Sequence, residues 1–369
     1  MALSIGIVGL PNVGKSTLFN ALSAAGAQAA NYPFCTIEPN VGVVPVPDER
    51  LDQLTALVKP KQTIPTSLEF VDIAGLVRGA SKGEGLGNQF LANIRQVDAV
   101  LHVLRCFEDD NVIHVEGGVN PLRDRDIVDT ELCLKDLETV EKRRDRSLKN
   151  TKMAGKPGEE ARAEVALLEK VKAKLDQGIT VRAQGLDAEE KLHLKELFLL
   201  TDKPVLYIAN IGESQMGKDA VDVHVNAVRA LAAQEHAEVV VLAAGIESEI
   251  QQLPVEERKA FLEDVGLSEP GLNKVVRAGY TMLGLQTYFT VGEQECRAWT
   301  IKKGWKAPEA AGVIHTDFER GFIKAKVMGW RDLLKHGSEA AVKDKGLLRL
   351  EGRDYVVQDG DCMEFMFNV

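Results

Sequence analysis

Residues 9–16 read Gly9-Leu10-Pro11-Asn12-Val13-Gly14-Lys15-Ser16, which fits the pattern G-x-x-x-x-G-K-[ST]. A strand-like run, Ala2–Val8, precedes this stretch, and a helical pattern, Ser16–Ala25, follows it. A strand before and a helix after are the context in which the pattern forms a phosphate-binding loop. Glycines let backbone N–H groups curl around a phosphate, and the helix N-terminus adds partial positive charge. The stretch therefore predicts an α/β nucleotide-binding domain.

The side chains of this loop predict the chemistry of the phosphates. Lys15 can neutralise the β- and γ-oxygens, and the Ser16 hydroxyl can bind Mg²⁺, which prefers oxygen ligands. We therefore expect Lys15 to be catalytic. The nucleotide-binding residues that we expect in the loop are Asn12, Val13, Gly14, Lys15, Ser16 and Thr17.

A second motif, Asp72-Ile73-Ala74-Gly75, follows a strand-like run at Leu68–Val71. In this context the aspartate is expected near Mg²⁺ and the Gly75 amide near the γ-phosphate, which gives Gly75 a catalytic role. Thr36, between the two motifs, is either a mobile magnesium ligand or an ordinary loop threonine. The predicted magnesium ligands are Ser16, Thr36 and Asp72.

The base-binding loop is predicted at Asn210-Ile211-Gly212-Glu213, after another strand-like run. GTPases carry N-K-x-D at this position, and its aspartate accepts hydrogen bonds from guanine. Glu213 is one methylene longer, and Ile211 replaces the lysine, so the guanine-reading geometry is lost. An asparagine amide can pair with N6 and N7 of adenine. We therefore expect Asn210 to read adenine, Ile211 to cover its face and Glu213 to contribute to the site.

The residue that activates water is not at its usual place. Ras-like GTPases follow D-x-x-G with a glutamine, but Leu76 stands here and has no hydrogen-bonding group. His114, in a predicted loop after the strand-like run Ala99–Cys106, is either the replacement or a solvated loop histidine. Asn12 offers a second route, because it either helps to bind K⁺ beside the phosphates or only supports its loop.

Composition and charge exclude other classes of protein. No apolar run of the 369 residues approaches the roughly 18 that span a membrane. The N-terminus lacks the basic segment of a signal peptide. The five cysteines are scattered, which is typical of reduced thiols in a cytoplasm. We therefore expect a cytoplasmic protein that does not bind membranes.

The chain divides into three predicted parts. Strand-like runs alternate with helical patterns in residues 1–128 and 201–280, which predicts a mostly parallel sheet. Residues 129–200 are charge-rich, and apolar residues recur there at helical spacing around a turn signal at 154–158. We interpret them as an antiparallel helical hairpin, with a polar, partly disordered insertion as the alternative. Residues 281–369 predict a small α+β module.

Charge is distributed unevenly between these parts. The formal net charge is −10, and all of it falls in residues 1–128 (−4) and 201–280 (−6). Residues 142–156, which run to the predicted hairpin turn, hold seven basic residues and one acidic one. This stretch is either a solvated helix face or a contact for RNA phosphates, and we favour the second interpretation.

The sequence resembles the YchF/Obg-like ATPase family of P-loop GTPase-fold proteins over nearly its whole length. The resemblance rests on six stretches: Gly9–Thr17, Phe70–Arg78, Gly79–Phe90, Arg105–Asp109, Asn210–Glu213 and Thr281–Val369. It implies a P-loop, GTPase-type α/β domain with a mostly parallel sheet, an inserted α-helical hairpin and a C-terminal TGS domain of the β-grasp fold. It also implies hydrolysis of ATP in preference to GTP, and association with ribosomes.

Three functions remain open on the sequence. The first is a Mg²⁺-dependent ATPase switch that binds the ribosome, with the large subunit as the expected site, and contacts RNA through the hairpin and the TGS domain. The second is a GTPase of the same fold. The third is a nucleotide-gated protein that binds RNA or ribosomes and whose hydrolysis is vestigial, an idea that Leu76 supports.

Overall fold

The computed structural model describes residues 3–28, 40–73, 86–109 and 111–368. The strands are β1 (Ser4–Val8), β2 (Val41–Pro45), β3 (Gln62–Ile64), β4 (Ser67–Asp72), β5 (Ala99–Arg105), β6 (Val205–Asn210), β7 (Glu238–Leu242), β8 (Leu285–Val291), β9 (Glu295–Lys302), β10 (Phe322–Gly329), β11 (Arg349–Glu351) and β12 (Asp361–Phe367). The helices are α1 (Lys15–Gln28), α2 (Glu49–Val58), α3 (Leu86–Gln96), α4 (Pro121–Asn150), α5 (Lys156–Leu175), α6 (Ala188–Leu194), α7 (Val223–Gln234), α8 (Ala244–Gln252), α9 (Val255–Asp264), α10 (Gly271–Met282), α11 (Ala307–Ile314), α12 (Thr316–Arg320), α13 (Trp330–His336) and α14 (Glu339–Asp344).

Two compact units share these elements. Of the described residues, the first unit contains those at 3–25, 40–42 and 69–275. The second unit contains those at 26–28, 43–68 and 276–368. Residues 43–68, which the sequence predicted to lie in the nucleotide domain, group with residues 276–368 in the second unit.

The first sheet has the strand order β2-β4-β1-β5-β6-β7. From β4 to β7 each neighbouring pair is parallel. Every residue of β5 and of β6 is buried, as expected of parallel strands covered on both faces. The carboxyl ends of β1, β4, β5, β6 and β7 therefore lie along one edge, where ligands bind in such sheets.

The helical hairpin is formed by α4, of 30 residues, and α5, of 20. The side chain of Asn120 accepts a hydrogen bond from the N–H of Arg123 and caps the start of α4. Gly155 precedes α5 with φ 70°, a conformation that glycine adopts without strain. The turn lies at residues 151–155 and overlaps the predicted turn signal at 154–158 in its last two residues. Leu168, Val171 and Leu175 are buried in a cluster with residues of α4 and of the segment after α5.

The second unit contains a six-stranded sheet in the order β11-β10-β12-β8-β9-β3. Its central pair, β8 and β12, is parallel, and β9 and β10 lie antiparallel to these two strands. The short strand β3 extends the sheet by pairing in parallel with β9. Leu51 and Leu54 of α2 are buried in the core of this unit, beside Phe289 and Met328. This packing explains why residues 43–68 group with the C-terminal module.

Candidate functional site

The loop between β1 and α1 has the backbone that its glycines predict. Gly9 has φ 151°, and a Cβ there would lie 2.5 Å from the carbonyl oxygen of Val103. Gly14 has φ 100°, and a Cβ there would collide with the side-chain amide of Asn210. Asn12 adopts φ 61°, which asparagine tolerates better than most residues. Any side chain at Gly9 or Gly14 would therefore disrupt the loop.

Lys15, the first residue of α1, is held inside this loop. Its side chain is 8% exposed, and its Nζ donates a 2.7 Å hydrogen bond to the carbonyl oxygen of Leu10. Burial lowers the pKa of Lys15 to about 8, and the Asp72 carboxylate acts in the opposite direction. The free protein therefore holds a partly desolvated cation at the predicted phosphate position.

The described magnesium residues lie at the ends of neighbouring elements. Asp72 ends β4 and is paired in register with Ile7 of β1, while Ser16 follows Lys15 on α1 and is exposed. Burial raises the pKa of Asp72, and Lys15 opposes this shift. A hydroxyl and a carboxylate at one edge of the sheet suit Mg²⁺ bound through few protein ligands. The predicted residues Thr36 and Gly75 lie outside the described residues.

Asn210, at the end of β6, connects two loops through its side chain. Its Nδ2 donates to the carbonyl oxygen of Val13 at 2.9 Å, and its Oδ1 accepts from the N–H of Ala244 at 2.9 Å. The residue is 3% exposed. Each polar atom of this amide therefore already has one protein partner, and one Nδ2 hydrogen and one Oδ1 lone pair are left for a base.

The remaining residues of the predicted base loop differ in exposure. Ile211 is 6% exposed, whereas Glu213 is exposed and begins a 3-10 turn at residues 213–215. Gln215, which the sequence analysis did not single out, holds this turn. Its Oε1 accepts from the N–H of Gly212 at 2.7 Å, and its Nε2 donates to the carbonyl oxygen of Cys106 at 2.9 Å. The turn is thereby fixed to the end of β5.

The side chain of His114 is buried, and both of its ring nitrogens are hydrogen-bonded. Its side chain is 5% exposed and its Nε2 lies 2.7 Å from Oδ2 of Asp124, which is 1% exposed. Its Nδ1 accepts a hydrogen bond from the N–H of Glu116 at 3.1 Å. Because Nδ1 accepts, Nε2 carries the hydrogen that is donated to Asp124. Neither nitrogen is therefore free to hold a water molecule in this arrangement.

Two side chains connect the His114 loop to the rest of the site. Asn12 Nδ2 donates to the carbonyl oxygen of Ile113 at 3.1 Å, so the phosphate-binding loop contacts the residue before His114. Arg105, 2% exposed, donates to the carbonyl oxygens of Phe107, Asp109 and Val112 at 2.9–3.3 Å. Arg105 belongs to no predicted site motif, although an arginine that ends an otherwise apolar strand is a usable signal.

The described ranges contain neither a membrane-spanning helix nor a metal-ligating cluster. None of the helices in these ranges is both long and apolar enough to cross a membrane. In the same ranges, His, Cys, Asp and Glu form no group of three or more that could hold a metal ion. A magnesium ion at Ser16 and Asp72 would need further oxygen ligands from the nucleotide, from water or from residues outside the described ranges.

Two family models match the chain. A model described as "50S ribosome-binding GTPase" matches residues 4–132, which include the phosphate-binding loop and Asp72. The YchF-GTPase C-terminal model, which is described as a protein of unknown function, matches residues 285–368. The predicted P-loop, GTPase-type fold is confirmed.

Full-length relatives extend these matches. The ribosome-binding ATPase YchF of Bacillus subtilis (strain 168) is 55% identical over 369 residues, with all of both chains covered. The ribosome-binding ATPase YchF of Escherichia coli O157:H7 has the same identity and coverage. The structure of the Schizosaccharomyces pombe YchF GTPase matches with a TM-score of 0.89 at 38% identity, and covers 99% of this chain and 97% of that one. Identity at this level along the whole chain confirms the predicted resemblance: the chain belongs to the YchF family.

Proposed function

We propose that this protein is a P-loop ATPase that binds the ribosome. The observation that carries the proposal is 55% identity over the full length to ribosome-binding ATPases, in a chain whose phosphate-binding loop is intact. A nucleotide hydrolase of this fold binds phosphates at Lys15 and at the backbone N–H groups of residues 12–17. ATP is the substrate, and ADP and phosphate are the products.

Mg²⁺ accompanies the nucleotide in this proposal. Ser16 and Asp72 supply a hydroxyl and a carboxylate, and Thr36 supplies a third oxygen when the triphosphate is bound. When bound, Mg²⁺ would neutralise charge on the β- and γ-phosphates, and the Gly75 amide would donate to the γ-phosphate. Asp72 raises the pKa of Lys15, and Lys15 lowers the pKa of Asp72. The two side chains are therefore close enough to interact, which supports this arrangement.

ATP is preferred to GTP because the guanine-reading aspartate is absent. Glu213 is exposed on a turn that Gln215 fixes, and Ile211, which is 6% exposed, is expected to cover the face of the adenine. Asn210 uses its second amide hydrogen and its remaining lone pair for adenine, while its other bonds keep the two loops together. Competitive titration of ATP against GTP tests this point, and GTP that bound tenfold tighter would overturn it.

His114 is our candidate for ordering the attacking water. Its ring nitrogens are hydrogen-bonded to the Asp124 carboxylate and to the N–H of Glu116, so the loop must rearrange before the ring can reach the nucleotide. Asn12 of the phosphate-binding loop is hydrogen-bonded to Ile113, so a nucleotide that moves Asn12 would also move the His114 loop. A K⁺ ion held by Asn12 is the second candidate, and equal rates in sodium and potassium buffers would remove it.

A single-turnover experiment tests the histidine. We expect His114→Ala to lower the rate by roughly 10²-fold or more, the usual size of a general acid–base contribution. His193→Ala is the matched control, because His193 is an exposed histidine on α6. An unchanged rate in His114→Ala would exclude the assignment.

The ribosome is bound through RNA phosphates at the end of the hairpin and through the TGS domain, and the large subunit is the expected site. Of the seven cations at residues 142–156, three have acidic neighbours, namely Arg143, Arg144 and Lys156. Within the described residues, Lys142, Arg146, Lys149 and Lys152 are in no salt bridge of 4 Å or less. Such cations are available to phosphates. Cytoplasmic localisation follows from this partner.

The hydrogen bonds that occupy both ring nitrogens of His114 favour a second function. If the loop never releases the ring, the protein is a nucleotide-gated ribosome-binding protein with vestigial hydrolysis. Turnover with and without purified ribosomes separates the two, because a functional ATPase is expected to be accelerated and a vestigial one is not. Failure of the wild-type protein to pellet with ribosomes would overturn both.

A further inference from the structure

A basic pocket with an exposed aromatic ring lies beside α4, away from the nucleotide site. Its volume is about 480 Å³, within the roughly 300–1,000 Å³ range of ligand sites. Residues of α3, of α4 and of the 3-10 turn at 195–197 line it. Five of the lining side chains are basic and two, Glu138 and Glu196, are acidic. The pocket therefore carries net positive charge in a unit whose total charge is negative.

Three of its cations are in no salt bridge with another described residue. Arg95, Lys142 and Arg146 are exposed, and in the described part of the chain they form no salt bridge. The other two are paired: Lys135 lies 2.7 Å from Glu138, and Arg143 lies 2.6 Å from Glu164. Unpaired cations that gather around a concavity attract anions more strongly than neutralised pairs do.

The cations on α4 follow one line along the helix. Lys135, Lys142 and Arg146 form this cation stripe, with the uncharged Thr139 between the first two; they are spaced by seven and four residues, so they lie on one face. Lys142 and Arg146 are separated by about 6 Å along the helix axis at 1.5 Å per residue. This separation is comparable with that of successive phosphates on an extended single strand.

Phe198 presents its ring at the pocket in an unusual way. It is 64% exposed, and within the described residues it packs against no other aromatic ring. Its backbone has φ 49° and ψ 48°, a left-handed conformation that disfavours bulky residues and favours glycine. The ring is therefore exposed to solvent, and neither burial nor backbone conformation favours a phenylalanine at this position.

Hydrogen bonds to a buried aspartate of α4 hold the loop that carries Phe198. Asp136, which is 0% exposed, accepts 2.8 Å hydrogen bonds from the N–H groups of Leu200 and Thr201. Its carboxylate also accepts from the Thr201 hydroxyl at 2.7 Å. Leu199 is buried directly after Phe198. Because the loop is hydrogen-bonded to α4, which also carries the cation stripe, the ring and the stripe are held in fixed relative positions. This preorganisation lowers the entropy lost on binding.

We propose that this pocket binds single-stranded RNA, with an unpaired base stacked on Phe198 and its flanking phosphates at Arg95, Lys142 and Arg146. Exposed aromatic rings beside a basic groove are the usual design of single-strand binding, since every base offers a face for stacking. The proposal deepens the proposed ribosome binding and rests on it, because it names an unpaired nucleotide of ribosomal RNA as the contact.

RNA binding by the full-length protein tests the pocket. The probe is a fluorescein-labelled single-stranded 12-mer, with a duplex of the same length for comparison, and the readout is anisotropy between 50 and 200 mM KCl. Phe198→Ala is expected to weaken single-strand binding roughly 5- to 150-fold, as measured for loss of one stacked base. Phe198→Trp should retain binding, and Phe198→Leu should not, because leucine keeps bulk without a π face.

Charge variants and controls complete the experiment. Lys142→Ala and Arg146→Ala should each reduce the slope of log K against log salt by about 0.7. Leu192→Ala removes an equally exposed apolar side chain on α6, outside the pocket, and should change nothing. Basal ATPase activity should be unchanged in Phe198→Ala. Equal single-strand affinities of the wild type, Phe198→Ala and Phe198→Trp would overturn the proposal.

The outcomes separate this proposal from the one on which it rests. If the wild type pellets with ribosomes but Phe198→Ala binds the 12-mer normally, the pocket assignment fails and ribosome binding stands. If single-strand binding depends on Phe198 but the wild type does not pellet, ribosome binding fails and the RNA pocket stands. If a polyglutamate peptide binds at the cation stripe and the 12-mer does not, the pocket is a docking site for an acidic protein, and the RNA proposal is wrong.

Discussion

Binding of a nucleotide should draw a proton onto Lys15. The free protein holds this lysine 8% exposed, with its Nζ bonded to the carbonyl oxygen of Leu10, and burial lowers its pKa to about 8. A bound diphosphate or triphosphate places several negative charges beside the ammonium group, which favours its charged form. The pKa of Lys15 in the complex should therefore return to 10.5 or above.

The size of the effect follows from these two pKa values. In the free protein Lys15 is about half protonated at pH 8 and about one-tenth protonated at pH 9. Binding should therefore take up about 0.1 proton at pH 7, about 0.5 at pH 8 and about 0.9 at pH 9. Between pH 8 and pH 9 the association constant should therefore fall about fivefold.

Calorimetric titration with ADP measures the uptake directly. Titrations in two buffers of different ionisation enthalpy give the number of protons, and ADP avoids hydrolysis during the measurement. Above pH 8 the phosphates are fully ionised, since their last pKa is about 6, so they add nothing to the count. Lys15→Arg, measured at saturating ADP, should take up no proton because arginine stays charged. A wild-type uptake that stayed flat from pH 7 to pH 9 would refute the reasoning.

Three further predictions concern buried side chains of the same unit. Burial lowers the pKa of His102 to about 4, below its usual 6.5, so this neutral imidazole stabilises the fold above pH 6.5 and its contribution is lost toward pH 4. The free energy of unfolding should fall by about 2 kcal/mol between pH 7.5 and 5 in urea titrations, and His102→Gln should flatten that slope. Asp136→Ala leaves buried N–H groups of the loop at 200–201 unpaired and should cost about 3 kcal/mol in the same assay, whereas the exposed Asp145→Ala should stay within about 0.5 kcal/mol. Arg105→Lys keeps the charge but loses most of its three carbonyl contacts, so amide exchange in the loop at 107–113 should accelerate roughly tenfold; an unchanged rate would show that Arg105 does not order this loop.

The parts of the fold that the sequence predicted are those with strong periodicity and clear turn signals. The strands β1, β5 and β6 are mostly apolar runs, and the hairpin turn overlaps a glycine-rich break between two helical patterns. What the sequence did not reveal is the placement of residues 43–68. Their short strand β3 has three residues, and its pairing with β9 joins positions more than 230 residues apart. No local pattern encodes such a partner.

The candidate site shows the same division. The conformations of Gly9 and Gly14 follow from the loop pattern, because only glycine fits where a carbonyl or an amide approaches so closely. The partners of Asn210 and His114 did not follow from it. Val13 lies 197 residues from Asn210, and the sequence alone cannot tell a buried, bonded histidine from a solvated one. Polar side chains take their roles from tertiary neighbours, and these are fixed only when the strands assemble.

The helix α4 connects the two candidate ligand sites through a single rigid element. Near its start, Asp124 holds His114, and twelve residues later Asp136 holds the loop of Phe198. The cation stripe continues to Arg146, about 33 Å from Asp124 at 1.5 Å per residue. Long helices bend gradually unless a proline, a glycine pair or a bulge interrupts them, and α4 has proline only at its first residue. A movement of its first turn that freed His114 would therefore also displace the pocket, and a ligand that fixed the pocket would oppose that movement. Reciprocal coupling of this kind requires only that both ligands prefer one position of α4.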